Sequence, residues 1–295
     1  MSQNSNYAKL KNAWSDRVSL SALKNLQVNR LATFGIIFVM IIVFLSIFPS
    51  FAAPYDPTTI NPDQALQEPS LSHLFGTDQH GRDVLSRVVF GARASVLVGC
   101  LTVLIAGTLG IPQGIVAGFY GNRVDDVIMR FNDAVLSFPS LILAFLIVGI
   151  VGSGLAPVII ALGLVYSPRF ARIGRSSTLS IKENQYVVAA EAAGASNTRI
   201  MSRHILPNAK GPLIVEATLV FAYAILNEAA FSYLGLGAQP PTVTWGRMIK
   251  SGQVLLANAP WISLAATLFI ALSVLSYNAI GDALRESYDP RSGIK

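Results

Sequence analysis

The sequence holds a single cysteine, Cys100, in 295 residues, so neither a disulfide framework nor a cysteine metal site is available to it. Histidine is almost as scarce. His73, His80 and His204 lie far apart rather than at metal-ligand spacing, and no metal site is expected. Charged residues make up 13% of the chain against 52% hydrophobic, and the mean hydropathy is +0.52. A water-soluble domain of that composition would lack the polar surface to cover itself, which leaves a polytopic membrane protein as the economical reading. No GxxxxGK[ST] run occurs, so the chain cannot by itself cradle and hydrolyse ATP in the P-loop manner. Nor do Ser, His and Asp fall together at one depth, which makes an intramembrane hydrolase the weaker alternative. Cys100 sits in an apolar run and reads as a small buried hydrophobe.

What the chain has instead is long apolar runs. A helix needs about 20 such residues to cross a bilayer. Residues 31–48 supply a first crossing, ended by Pro49, Pro54, Pro57 and Pro62. The tail before it is too long and basic for a secretory signal, so the segment reads as a retained helix. In the tail, Leu10, Trp14 and Val18 have the spacing of a helix lying on the membrane face. Residues 94–119 give a second crossing. The uncharged run 134–168 would span about 50 Å as one helix, too long for a bilayer, so it must break. Gly149, Gly152, Gly154 and Pro157 mark the place, giving a third crossing to Val151 and a fourth from Leu155 that runs on past Arg169. Residues 212–233 and 261–280 make the fifth and sixth.

Six crossings put both termini on one side. Of the 22 Lys and Arg residues, seventeen then share that side, and only Arg82, Arg87, Arg93, Arg247 and Lys250 lie opposite, so the termini are expected in the cytoplasm. The basic balance is thus topological and calls for no nucleic acid. The resulting organisation is a cytoplasmic tail 1–30, a first helix 31–50, an extracytoplasmic loop 51–92, a core 93–284 with a cytoplasmic loop 170–210, and a tail 285–295. Within that loop, residues 187–207 (VVAAEAAGASNTRIMSRHILP) are alanine-rich and basic. They read as two short helices bent at Gly194, the second closed by Pro207.

Two further patterns stand out. Gly110, Gly114 and Gly118 recur every four residues in the second crossing, a stripe suited to close helix packing more than to contact with substrate. Glu216, Asn227, Glu228, Asn278 and Asp282 are polar groups in or near the last two crossings, and such groups should face protein or a wet cavity. Asn227, Glu228, Asn278 and Asp282 are therefore the pathway candidates. Asp83 and Arg87, taken alone, have the spacing of an i,i+4 helix pair.

In the register Gly194, nine residues, HILP (204–207), the cytoplasmic stretch resembles the EAA loop of ABC importer permeases. In that register the family's EAA falls on Val188-Ala189-Ala190, with Val188 where Glu is usual and His204 where Ile is usual. The literal Glu191-Ala192-Ala193 occupies the spacer. The run HLFGTDQHGRDVLSR (73–87), with Gly91-Ala92-Arg93 behind it, is similar to the outer loop of the dipeptide/oligopeptide permease group, in its C-type subunit. So are SFP (137–139), SYLGLG (232–237), Pro240-Pro241 with Trp245-Gly246, and GDALR (281–285) with DPR (289–291).

The resemblance implies an all-α polytopic membrane protein with six transmembrane helices and the type I ABC importer, MetI-like, permease fold. It implies one membrane subunit of an ATP-driven peptide importer in the bacterial inner membrane, itself non-catalytic and without a cofactor. ATP and Mg would be bound by two partner ATPases. A homologous B-type permease, an extracytoplasmic substrate-binding protein and the lipid bilayer complete the expected partners. Ala189, Ala190, Gly194, Ala195, Arg199, Arg203, His204, Leu206 and Pro207 are the expected coupling residues. Asp78, Arg82, Asp83 and Arg87 are the outer-loop or gate candidates. Relatives in the group carry other cargo as well, including nickel chelates, glutathione and opines. A stand-alone secondary transporter is the rival reading, against which stands the lack of ionisable residues in the central stretches of crossings one to four.

Overall fold

A computed structural model describes residues 30–288; the readings made for the tail at Leu10, Trp14 and Val18, and for the ending at Asp289 to Arg291, lie outside them. The described chain is helical: α1 (Arg30–Ile47), α2 (Val84–Tyr120), α3 (Asn122–Leu136), α4 (Ser140–Val151), α5 (Leu155–Lys182), α6 (Gln185–Ala192), α7 (Asn197–Leu234), α8 (Trp245–Gly252) and α9 (Trp261–Tyr288). The only β-type pairing among the described residues is one isolated bridge, Thr77 to Asp83.

Helices α1, α2, α5, α7 and α9 are each long and apolar enough to cross a membrane. The sixth span exists only as the bent pair α3 and α4, which meet at 87°. The third crossing therefore differs from its expected course over 134–151. Pro139 offers no N–H and forces Phe138 out of the helical region, so the run breaks at 137–139. The remaining α4 has 12 residues, about 18 Å, short of a hydrocarbon core of about 30 Å. On α3, Val124, Val127 and Phe131 form an exposed apolar stripe, while Asp125 and Asp133 pair with Arg175 and Arg172 of α5. The break after α4 falls where the glycines indicate it. Gly152 and Gly154 have φ of 113° and 146°, values that exclude side chains at low cost.

The second crossing begins ten residues before its apolar run, because Asp83 caps the helix and its first turns lie outside the hydrocarbon region. At 37 residues α2 is about 55 Å long and joins the two ends of the molecule. Its most extensive neighbour is α5. Their seam is the glycine stripe: a Cβ on Gly110 would strike the Ser167 carbonyl, one on Gly114 the Ala171 carbonyl, and one on Gly118 would lie 2.9 Å from the Arg175 carbonyl. Ala171, Gly174 and Thr178 answer with small side chains, so the backbones meet directly.

Two expectations fail here. Pro207 does not close a helix, because Asn197–Leu234 is continuous through it. The turn Met201–Ile205 is π-helical, with the Leu206 N–H donating to the Met201 carbonyl, and the widened turn admits a proline whose missing N–H and ring would otherwise break the ladder. Cys100 is exposed on α2, not buried. In a membrane the outward face of a helix is as apolar as the inward one, so an apolar run does not tell which side is covered.

One apolar cluster joins α1, the Asp83-end half of α2, the Leu234-end half of α7, α8 and α9 around Trp245 and Ile262. A second joins α2, α4, α5 and α7 around Leu162, Tyr166 and Phe231. A third, small one fastens Val187, Ile200 and Ile205 to Ile115 at the opposite end of α2 from Asp83.

Candidate functional site

Three regions hold the residues that the sequence singles out. The first is the loop ahead of α2. The Asp83 carboxylate caps that helix, accepting from the Ser86 N–H and the Ser86 hydroxyl at 2.7 Å each, and its other oxygen lies 2.9 Å from His73 Nδ1. Asp78 accepts from the N–H of His80 at 2.8 Å, from the N–H of Arg82 at 3.1 Å and from Arg82 Nε at 2.7 Å, with Arg87 Nε at 3.5 Å. Arg87 also donates to the Pro57 carbonyl at 3.0 Å. The i,i+4 pair of Asp83 with Arg87 is thus absent. Capping turns the Asp83 carboxylate down onto the first turn, and the Arg87 fork reaches back to Asp78 instead. Asp78, Asp83 and Arg87 are all buried. The Trp261 indole donates to the Thr77 carbonyl at 3.0 Å, tying the loop to α9, and the Trp245 indole donates to the Val88 carbonyl at 2.9 Å, tying the first turns of α2 to α8. Burial and the nearby Arg82 charge hold the Arg247 guanidinium below its ordinary pKa. At the loop surface, hydrogen bonds from Thr58 pull the Asp56 carboxyl down.

The second region is the stretch between α5 and α7. Here α5 runs to Lys182 and α7 starts at Asn197, so much of the loop assigned to 170–210 is helix. The bend at Gly194 is present, with φ of 79° and no atom within 4 Å of where a Cβ would sit. Val187, Ile200 and Ile205 turn into the body, whereas Tyr186, Val188, Ala189 and Leu206 are exposed. Ala190 and Ala195 are half-buried. Arg199 and Arg203 line a shallow hollow with Ser196, Thr198 and Ser202, and neither forms an ion pair among the described residues. The His204 ring lies 6.3 Å from that of Tyr186. Pro207 sits beside Lys210 at the edge of an apolar groove between α2, α5 and α7.

The third region is the polar set within the crossings. Glu228 is fully buried, accepts from the Ser232 hydroxyl at 2.6 Å, and leaves Oε2 without a partner among the described residues. Asn227 donates to the Tyr166 hydroxyl. Asn278 and Asp282 do not join them. Counted along the antiparallel helices, whose register is set by Phe221 against Tyr277 and Thr218 against Gly281, Asn278 lies about 10 Å and Asp282 about 15 Å deeper toward the α6 end. The sequence reading passed over Arg169, whose guanidinium carbon lies 5.1 Å from the Tyr166 ring centre and 4.8 Å from that of Tyr223. The spacing Tyr166 to Arg169, one turn apart on one face, was the available signal.

The family described as binding-protein-dependent transport system inner membrane component matches residues 110–293, and the N-terminal transmembrane domain of oligopeptide transport permease C matches residues 20–69. A dipeptide transport system permease protein of Alkalihalophilus pseudofirmus is 43% identical over 92% of this chain and 89% of its own. A di/tripeptide transport system permease protein of Pseudomonas aeruginosa is 43% identical over 89% of each. A glutathione transport system permease protein of Escherichia coli is 38% identical over 86% of this chain and 84% of its own. Among solved structures, a chain of the MetNI methionine ABC transporter in an inward-facing form superposes with a TM-score of 0.57 at 20% identity, covering 69% of this chain and 97% of that one.

Proposed function

The chain belongs to the binding-protein-dependent transport system inner membrane components, and from that premise we propose that it is the C-type membrane subunit of an ATP-driven importer of dipeptides or oligopeptides. It forms half of the pathway and performs no chemistry. ATP and Mg belong to two cytoplasmic ATPases, the other half of the pathway to a homologous B-type permease, and cargo delivery to an extracytoplasmic binding protein. Both termini face the cytoplasm. A close relative named for glutathione, itself a peptide, supports the same machinery with a different peptide cargo.

The observation that carries the reading is the segment from Gln185 to Leu206. It is clamped to α2 through Val187, Ile200 and Ile205 while Tyr186, Val188 and Ala189 stand free of the body. Such a segment is a socket for another protein. Since α7 is continuous over 38 residues, about 57 Å, through the π-turn at Met201–Ile205, a push at Asn197 is carried along the helix toward Leu234. The turn after Lys182 likewise passes motion to α5. Closure of the ATPases would therefore swing α5 and α7 as levers and open the pathway to one side or the other. The loop ahead of α2, at the opposite end, held by its buried charges and carrying the exposed Leu71 and Leu74, is the surface for the binding protein.

The test is reconstitution. Vesicles holding this chain, its permease partner and the ATPases should take up peptide only with ATP inside and binding protein outside, and the purified complex should hold two ATPase chains per membrane pair. Peptide uptake by this chain without the ATPases would point to a secondary transporter.

A further inference from the structure

We propose that Arg169, stacked against Tyr166 and Tyr223, is a binding subsite for the carboxylate of the transported peptide; the assignment rests on the peptide reading above. Arg169, counted with the cytoplasmic side in the Lys/Arg tally, lies 14 residues into α5, about 21 Å along a helix that must cover a core of about 30 Å, so its charge falls within the membrane thickness toward that side, outside the central stretch of the crossing. Tyr223 lies 11 residues, about 17 Å, from the Leu234 end of α7. The two tyrosine rings are 6.3 Å apart, both face the guanidinium, and Tyr166 is held in turn by Asn227. On α7, Glu216, Tyr223 and Asn227 share one face by their spacing of seven and four residues.

Two facts single this cluster out. Arg169 forms no ion pair and no hydrogen bond among the described residues, although each of the other arginines of α5, Arg172 and Arg175, has an aspartate. The cluster is also open at the subunit surface, with Arg169 half-buried and Tyr223 42% exposed. A charged, open face at this depth cannot lie against lipid, so it borders either the pathway or the homologous subunit, and the free guanidinium edge favours the pathway. That orients α5 and α7, which periodicity in an all-apolar run does not do. Stacking on two rings leaves the guanidinium edge, with its paired N–H donors, as the free part of the side chain, and a carboxylate is the group that edge fits. Every peptide with a free C-terminus carries one whatever its side chains, so such a subsite suits a pathway that takes varied peptides. Because the site is shared by α5 and α7, the two helices joined by the coupling segment, a lever motion that separates them would pull Tyr223 from Arg169 and weaken the hold.

The test measures binding of a radiolabelled dipeptide and of its C-terminal amide to the purified membrane complex with its ATPases, without binding protein. The wild-type complex is expected to hold the free acid about tenfold more tightly than the amide. Arg169→Gln should abolish that ratio while every subunit still co-purifies. Tyr223→Phe should keep it, and Tyr223→Leu should reduce it. No measurable binding of the acid by the wild type, an unchanged ratio in R169Q, or loss of the homologous subunit from the R169Q complex each overturns the assignment, the last by placing the guanidinium in the subunit interface. Uptake assays run alongside separate the two readings. A complete wild-type system that takes up no peptide removes the peptide reading and this subsite together, whereas peptide uptake without an acid-to-amide ratio removes the subsite alone.

Discussion

The two ends of the molecule, separated by the length of α2, are built on opposite plans. Ahead of α2, residues 57–87 bury Asp78, Asp83 and Arg87 and give each a partner within the chain or a neighbouring helix. Between α5 and α7, the chain leaves Tyr186, Val188 and Leu206 uncovered and Arg199 and Arg203 without acidic partners among the described residues. The first end pairs its buried polar groups internally, although Leu71 and Leu74 on its surface stay exposed; the second leaves both apolar and basic side chains uncovered. A part that must hold its shape against a passing partner needs internal polar bonds, whereas a part that is gripped keeps its apolar surface for the grip.

Substitutions test that contrast, and their effects on subunit stability should fall in a definite order. Asp78→Ala strands the buried Arg87 charge and three further donors, and it should destabilise the subunit by about 3–5 kcal/mol, read as a fall in melting temperature in detergent. A melting point within error of wild type would show that the outer loop does not support itself. Gly194→Val places a branched side chain at φ of 79°, costing about 1–2 kcal/mol of local strain, with no clash to relieve. Its larger effect should be functional: uptake falls while membrane insertion and the far end of the molecule stay intact. Normal uptake by G194V would remove the bend from the coupling mechanism. Trp261→Phe deletes one hydrogen bond to Thr77, about 1 kcal/mol, and should loosen the loop to hydrogen exchange without unfolding it. The double variant Tyr186→Ala, Val188→Asp should leave melting of the isolated subunit unchanged and abolish co-purification of the ATPases. If it lowers stability as much as the Trp261 change does, the inner segment is part of the core and the contrast between the ends disappears.

How much of this was legible beforehand varied with the physics of each element. Crossings bounded by glycine or charge, such as the step from α4 to α5 at Gly152 and Gly154, could be read directly, since only glycine takes those φ values at low cost. The stripe Gly110, Gly114, Gly118 announced a close helix contact, but not that α5 would be the partner. Proline misled in both directions. Pro139 made a sharper break than an uninterrupted apolar run suggested, and Pro207 made none, because a π-turn, whose hydrogen bond spans five residues rather than four, absorbed it. In the outer loop the residue types were right and the pairing was wrong: sequence spacing favoured Asp83 with Arg87, while capping geometry turned each toward a different partner.

Composition, the lengths of the apolar runs and the distribution of Lys and Arg determined a six-pass chain and its expected orientation, because the thickness of a bilayer and the cost of charge inside it leave few alternatives. Tertiary structure decided which face of each helix looks outward, which acid meets which base, and that Arg169 stands between two tyrosines from different helices. Those are contacts between segments distant in sequence, and a helix that is apolar all round carries no mark of its own rotation until its neighbours are in place.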